Sequence, residues 1–80
     1  MKLFKTELED TDVIVNFFDV NKQFLHSWET DGKNANSESS VKEAVACTGI
    51  VSEGDNIRVQ ITIDDDRMHN DPFLDTYMTL

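Results

Sequence analysis

The most apolar stretch of the chain, residues 13–20, reads Val-Ile-Val-Asn-Phe-Phe-Asp-Val. Most of these side chains are β-branched or aromatic, which is typical of a β-strand. Because successive side chains of a strand point to opposite faces, the run places apolar residues on both faces. We therefore expect this strand to lie in the middle of a sheet, with the rest of the chain beside it or covering it.

The stretches on either side, residues 2–8 and 23–30, alternate between apolar and polar residues, as half-buried strands do. An acidic turn at residues 9–12 and a tight turn at Asn21-Lys22 would join them to the central strand. The first thirty residues are thus predicted to form an antiparallel meander of three strands. Phe24, His26 and Trp28 are predicted to share one face of its third strand.

A short helix is predicted after a mobile surface loop at residues 31–39. Ser40 is its predicted N-cap, Glu43 completes a capping box, and Gly49 supplies the left-handed residue that ends it. The residues that fall on one face at helical spacing are Val41, Ala44, Val45 and Thr48. We expect that face to pack on the sheet.

Residues 57–63 alternate most regularly, and their isoleucines and valine predict a strand with one buried face. The end of the chain has two interpretations. Asp71-Pro72 resembles the start of a helix, whereas residues 76–80 have the composition of a strand, which we favour. The chain is therefore predicted to be one α+β domain, residues 1–80. Its sheet is small and mostly antiparallel, its element order is βββαβ followed by a strand or a helix, and its helix packs on one face.

Charge narrows the possible partners. Sixteen acidic residues against seven basic ones give a formal net charge of −9. Direct binding to nucleic acid or to an anionic membrane depends on Lys and Arg, so we expect neither. A basic protein surface would be attracted instead. The alternative is that the acidity serves only solubility.

The predicted topology gathers many of the acidic residues. Successive turns of a meander lie at opposite ends of the sheet, so the first turn and the end of the third strand share one end. If the helix returns the chain to the opposite end, the 57–63 strand finishes at the same end as the first turn. The acidic residues placed there are Glu7, Glu9, Asp10, Asp12, Glu29, Asp31, Asp64, Asp65 and Asp66. The other end, at Asn21-Lys22, is expected to carry far less charge. Trp28 is a candidate interface anchor, because Trp is common in binding hot spots, with a core position as the alternative.

Motifs for catalysis or cofactor binding do not occur, so we predict no enzymatic activity and no cofactor. The lone cysteine, Cys47, excludes an intramolecular disulfide and indicates a reducing, cytoplasmic location. Its place near the helix end predicts a partly buried, structural residue. Residues 64–75 are rich in Asp, but an EF-hand loop starting at Asp64 would need Gly and Glu where His69 and Asp75 stand. We predict no specific metal site.

These observations favour a non-catalytic binding module whose acidic end engages a basic, nucleic-acid-handling protein. In size and charge the chain is similar to the small acidic inhibitors of phages and mobile elements, a class that includes DNA mimics, anti-restriction proteins and anti-CRISPR proteins. Two alternatives stay open. One is a structural or accessory subunit of a small oligomer, and the other is a weak divalent-cation binder that uses residues 64–75.

Overall fold

The computed structural model describes residues 3–4, 10–64 and 74–80. Within these ranges the chain forms strand β1, Asp12–Phe18; strand β2, Phe24–Asp31; helix α1, Gly32–Ala35; helix α2, Glu38–Ala46; strand β3, Asn56–Ile63; and strand β4, Leu74–Thr79. The strands form one antiparallel sheet in the order β2-β1-β3-β4. The protein has the predicted α+β fold.

Strand β1 is an interior strand, as predicted, but one of its neighbours differs from the prediction. Residues 2–8, the expected hairpin partner, lie mostly outside the described residues, and the place beside β1 is taken by β3. The two described residues of that stretch contact Asn36 instead. The Leu3 amide donates to the Asn36 carbonyl oxygen at 3.1 Å, and the Phe4 amide donates to Asn36 Oδ1 at 2.7 Å. The predicted order of the first three strands is corrected accordingly.

Strand β3 pairs with β1 because it presents a complete row of apolar side chains. In register, Val15 faces Ile61 and Phe17 faces Val59, and all of these side chains are buried. A strand paired across such a distance in sequence costs more loop-closure entropy than a hairpin, but that cost grows slowly with loop length. The burial of a whole row on each strand outweighs it.

One face of the sheet, the core face, packs against the helices. Its buried residues come from three strands and both helices, joined by Phe4: Val13, Val15, Phe17, Ile57, Val59, Ile61, Met78, Ala35, Val41 and Val45. The predicted apolar face of α2 is therefore confirmed. The opposite face, called the outer face below, consists of the alternate residues of each strand, among them Ile14, Asn16, Phe18, Phe24, Glu29, Arg58, Gln60, Asp75 and Tyr77.

A β-bulge in β2 changes which residues share a face. Phe17 pairs with His26 and Phe18 pairs with Phe24, so Leu25 is the extra residue. His26 stacks on Phe17 with the ring centroids 6.0 Å apart, on the core face. Phe24 instead meets Phe18 edge to face at 5.9 Å, on the outer face. The prediction that Phe24 shares a face with His26 and Trp28 is wrong, because the extra residue breaks the two-residue period.

The helical region also begins earlier than predicted. Part of the predicted loop forms α1, whose N-cap Asp31 accepts a hydrogen bond at Oδ1 from the Asn34 amide at 2.8 Å. Helix α2 is capped by Ser37, which accepts from the Ser40 amide at 3.4 Å, so Ser40 lies inside the helix. Gly49 does adopt the predicted left-handed conformation, with φ of 74°. Cys47, predicted to be partly buried, is exposed.

The end of the chain is a strand. Strand β4 pairs with β3 along its whole length, and beyond it the Gly54 amide donates to the Leu80 carbonyl oxygen at 2.6 Å. Residues Asp71-Pro72, on which the helical alternative rested, lie outside the described residues. Neither of the helices described above is long and apolar enough to cross a membrane.

Candidate binding surfaces

Several of the predicted acidic residues do lie at one end of the sheet. Asp12 and Asp31 face each other across β1 and β2. The Asp64 amide donates to the Asp12 carbonyl oxygen at 2.9 Å, which brings the end of β3 to the same place. A shallow depression of about 250 Å³ lies there, lined by Asp12, Val13, Glu29, Thr30 and Asp64. Together with Asp10, which precedes β1, the acidic residues Asp12, Glu29, Asp31 and Asp64 are called the acidic end below.

The acidic end contains no basic partner among the described residues. The ion pairs among the described residues lie outside the acidic end. One joins Lys42 and Glu38 on α2, and the other joins Arg58 and Asp75 on the outer face. Asp31 has a structural use as the N-cap of α1. Glu7, Glu9, Asp65 and Asp66, the other predicted members, lie outside the described residues, so their place at this end stays a prediction.

Trp28 is on a different face from the acidic residues next to it. It pairs with Val15 and packs, partly buried, against the core. Glu29 follows it in the strand and therefore points to the outer face. These contacts agree with the alternative that Trp28 belongs to the core. Its role as a partner anchor stays a prediction.

The Asp75 carboxylate accepts hydrogen bonds from the neighbouring strand β3, so it is less available as a ligand for the divalent cation of the third hypothesis. Arg58 donates to both of its carboxylate oxygens, from Nε at 2.9 Å and from Nη2 at 2.6 Å, and Gln60 donates at 3.3 Å. The hydrogen bonds from Arg58 lower the pKa of the Asp75 carboxyl, and the same contact raises the pKa of Arg58.

Asp75 is also far from Asp64. Asp64 lies four residues beyond Gln60, which is the direct partner of Asp75. At about 3.3 Å per residue this separation is about 13 Å, too long for one cation to bridge. The described residues contain no group of three or more potential metal ligands, and the segment between Asp64 and Asp75 lies largely outside them.

The outer face carries an aromatic row that the sequence patterns did not reveal. Phe24, Phe18, Arg58 and Tyr77 are consecutive cross-strand neighbours, so the row spans about 14 Å at the usual strand spacing of about 4.8 Å. Phe24 and Tyr77 lie on the two edge strands and are 60% and 62% exposed. The sequence does not predict this row, because the bulge in β2 moves Phe24 to the outer face and because the strand partner of residues 76–80 is not apparent from their pattern.

A groove lined by both polar and apolar residues lies at the other end of the sheet from the acidic end. It measures about 500 Å³ and is formed by the β1–β2 turn, the bulge and the segment that links α2 to β3, with Asp19, Val20, Leu25, Ile50, Val51, Gly54, Asp55, Asn56 and Ile57 lining it. Asp19 and Asp55 lie on its rim. The rim of the groove therefore carries acidic residues, but fewer than the five of the acidic end.

Comparison with known proteins gave no match: no family model, no curated protein and no solved structure matches the chain. The charges and surfaces described above are therefore the observations that bear on function.

Proposed function

We propose that the protein is a non-catalytic binding module whose acidic end engages a basic surface of another protein. The observation that carries this proposal is the direct opposition of Asp12 and Asp31, with Asp64 beside them and no ion pair from a described basic residue to any of the three. Like charges placed directly opposite each other across a sheet destabilise it. A basic partner would relieve that repulsion on binding.

The partner chemistry follows from the sign and the position of the charge. A net charge of −9 raises the rate of encounter with basic proteins, and a concentrated acidic end orients them as they approach. Basic surfaces of this kind occur on proteins that handle nucleic acids, because such proteins must neutralise phosphates. An inhibitor of the anti-CRISPR or anti-restriction class is the form of this function that we favour, in a reducing, cytoplasmic setting.

The test begins with capture of the partner from the native host and then measures its affinity for two charge variants. The first carries Asp12→Asn, Asp31→Asn and Asp64→Asn. Asp31→Asn keeps a side chain that can cap α1. The matched control carries Glu38→Gln, Glu43→Gln and Glu53→Gln, which change the net charge equally but lie on α2 and on the segment that links α2 to β3. Circular dichroism verifies that both variants fold.

We expect the first variant to weaken binding about tenfold or more, which corresponds to about 1.4 kcal/mol, and the control to change it much less. The affinity of the unmodified chain should also fall steeply as salt concentration rises. Equal weakening by both variants would show that only the total charge matters, and the proposal would be wrong. A salt-insensitive oligomer with no basic partner would favour the accessory-subunit alternative instead.

A further inference from the structure

We propose that the groove at the β1–β2 turn binds a short peptide segment of a partner protein, one with an apolar side chain flanked by Lys or Arg. This groove is separate from the acidic end, because β1 runs between the two. The inference therefore does not depend on the function proposed above.

Exposed apolar side chains converge on the groove. Val20 and Ile50 are 60% and 52% exposed although both are large and apolar. Leu25 and Val51 are half-buried below them, and Ile57 is buried in the core. The volume of about 500 Å³ lies within the range of roughly 300–1,000 Å³ that is usual for ligand-binding sites. An apolar side chain of a partner would remove Val20 and Ile50 from water.

The two exposed side chains are held in place by their turns. At the first turn, Asp19 Oδ1 accepts from the Asn21 and Gln23 amides at 2.8 and 2.9 Å, which fixes the backbone around Val20. At the second, the Thr48 hydroxyl donates to the Val45 carbonyl oxygen at 2.6 Å and accepts from the Ile50 amide at 3.1 Å. Because these turns are already ordered, a ligand loses little free energy in ordering them.

The charge on the rim selects the flanking residues of the ligand. Asp19 uses Oδ1 in its turn, and Asp55 uses Oδ2 to accept from the Ser52 amide at 2.9 Å. The second oxygen of each carboxylate makes no hydrogen bond to a described residue and is available to a Lys or Arg. Lys22, the basic residue of the first turn, forms no ion pair with Asp19 or Asp55. A second copy of this chain would bring further carboxylates to the rim, so a basic segment is the favoured occupant.

The experiment is a selection of random heptapeptides displayed on phage against the full chain, followed by calorimetry with the most enriched peptide made synthetically. The test variant carries Val20→Ser and Ile50→Ser. The matched control carries Phe24→Ser and Tyr77→Ser, which remove equally exposed apolar side chains from the outer face. A third variant carries the three acidic-end substitutions Asp12→Asn, Asp31→Asn and Asp64→Asn.

We expect the enriched peptides to place Lys or Arg beside an aliphatic or aromatic residue. The test variant should bind about tenfold more weakly or worse, whereas the control and the acidic-end variant should stay within about twofold. Retained binding by the acidic-end variant separates this site from the proposed function, so that either one can fail alone. The inference is overturned if no peptide is enriched, if the peptides lack basic residues, or if the test variant binds as well as the control. It is also overturned if the groove substitutions abolish a dimer of the chain.

Discussion

Asp12 and Asp31 are direct partners across strands β1 and β2, and neither forms an ion pair with a described residue. Asp31 also caps α1, so one of the two carboxylates has a structural use. The Asp12 side chain makes no hydrogen bond or ion pair within the described part of the chain. We therefore expect the repulsion between these two carboxylates to lower the free energy of unfolding.

Removal of the Asp12 charge should stabilise the protein. We expect Asp12→Asn to raise the free energy of unfolding by about 0.2–1 kcal/mol at low ionic strength, because like charges directly opposite each other repel. The gain should largely vanish in 1 M salt, where the screening length falls to about 3 Å. Urea denaturation at both salt concentrations measures it.

Asp75→Asn is the matched control, since the same chemical change there removes an ion pair with Arg58 rather than a repulsion. It should lower the stability at low salt. If Asp12→Asn and Asp75→Asn change the stability in the same direction, the repulsion between Asp12 and Asp31 is not significant.

The Arg58–Asp75 pair should make stability depend on pH in acid. Hydrogen bonds from Arg58 lower the pKa of Asp75 in the folded state below its usual value of 3.8. The contribution of the pair is therefore fully present above pH 3.8 and is lost as the pH falls through the lower, folded-state pKa. The difference in melting temperature between the unmodified chain and Asp75→Asn should be constant from about pH 5 to 7 and shrink below about pH 4.

An NMR titration of the Asp75 carboxyl provides the direct measurement. In the Arg58→Gln variant its midpoint should move back toward the usual value. A midpoint that is the same in both proteins would contradict the assigned cause.

Two phenylalanines separated by the bulge should differ widely in their effect on stability. Phe17 is fully buried and stacks on His26, so Phe17→Ala should cost about 3–5 kcal/mol. Phe24 is 60% exposed on the outer face, and Phe24→Ala should stay within about 0.5 kcal/mol. Chemical denaturation of both variants tests the register. A cost for Phe24→Ala that approaches the cost for Phe17→Ala would mean that the bulge is misplaced.

The N-cap of α2 can be identified by two serine substitutions. Ser37 accepts a hydrogen bond from the Ser40 amide, so Ser37→Ala should cost about 1 kcal/mol. Ser40 lies inside the helix, and Ser40→Ala should be neutral or slightly stabilising, because Ala has the higher helix propensity. Thermal unfolding measures both. The reverse ranking would restore the capping box at Ser40 and Glu43 that the sequence suggested.

Local patterns predicted the elements whose signals are complete within a few residues. The alternation of residues 57–63 predicted β3, and the helical spacing of Val41 and Val45 predicted which face of α2 is buried. Gly49 was correctly placed as the left-handed residue after that helix. In each case the residues that form the signal also make the contacts, so little information from elsewhere in the chain is needed.

The partner of β1 was not predictable in the same way. Strand pairing depends on which apolar rows match in register, and β3 lies more than thirty residues away from β1 in the chain. The bulge at Leu25 has no signal in the alternating pattern, because an extra residue becomes visible only against the partner strand. These two features decided where Phe24 lies, and so they decided the existence of the aromatic row on the outer face.

The acidic end combines both kinds of information. Its composition and the turn that starts β1 are properties of the sequence, and they placed Asp12, Asp31 and Asp64 at one end of the sheet. The groove at the other end is a product of tertiary structure alone. Val20 and Ile50 are thirty residues apart, and neither is unusual within its own segment. By itself the sequence determined the fold class, the charge and the main buried rows, because period and composition are local. The structure decided which distant turns meet, because only packing of the sheet and the helices brings their side chains together.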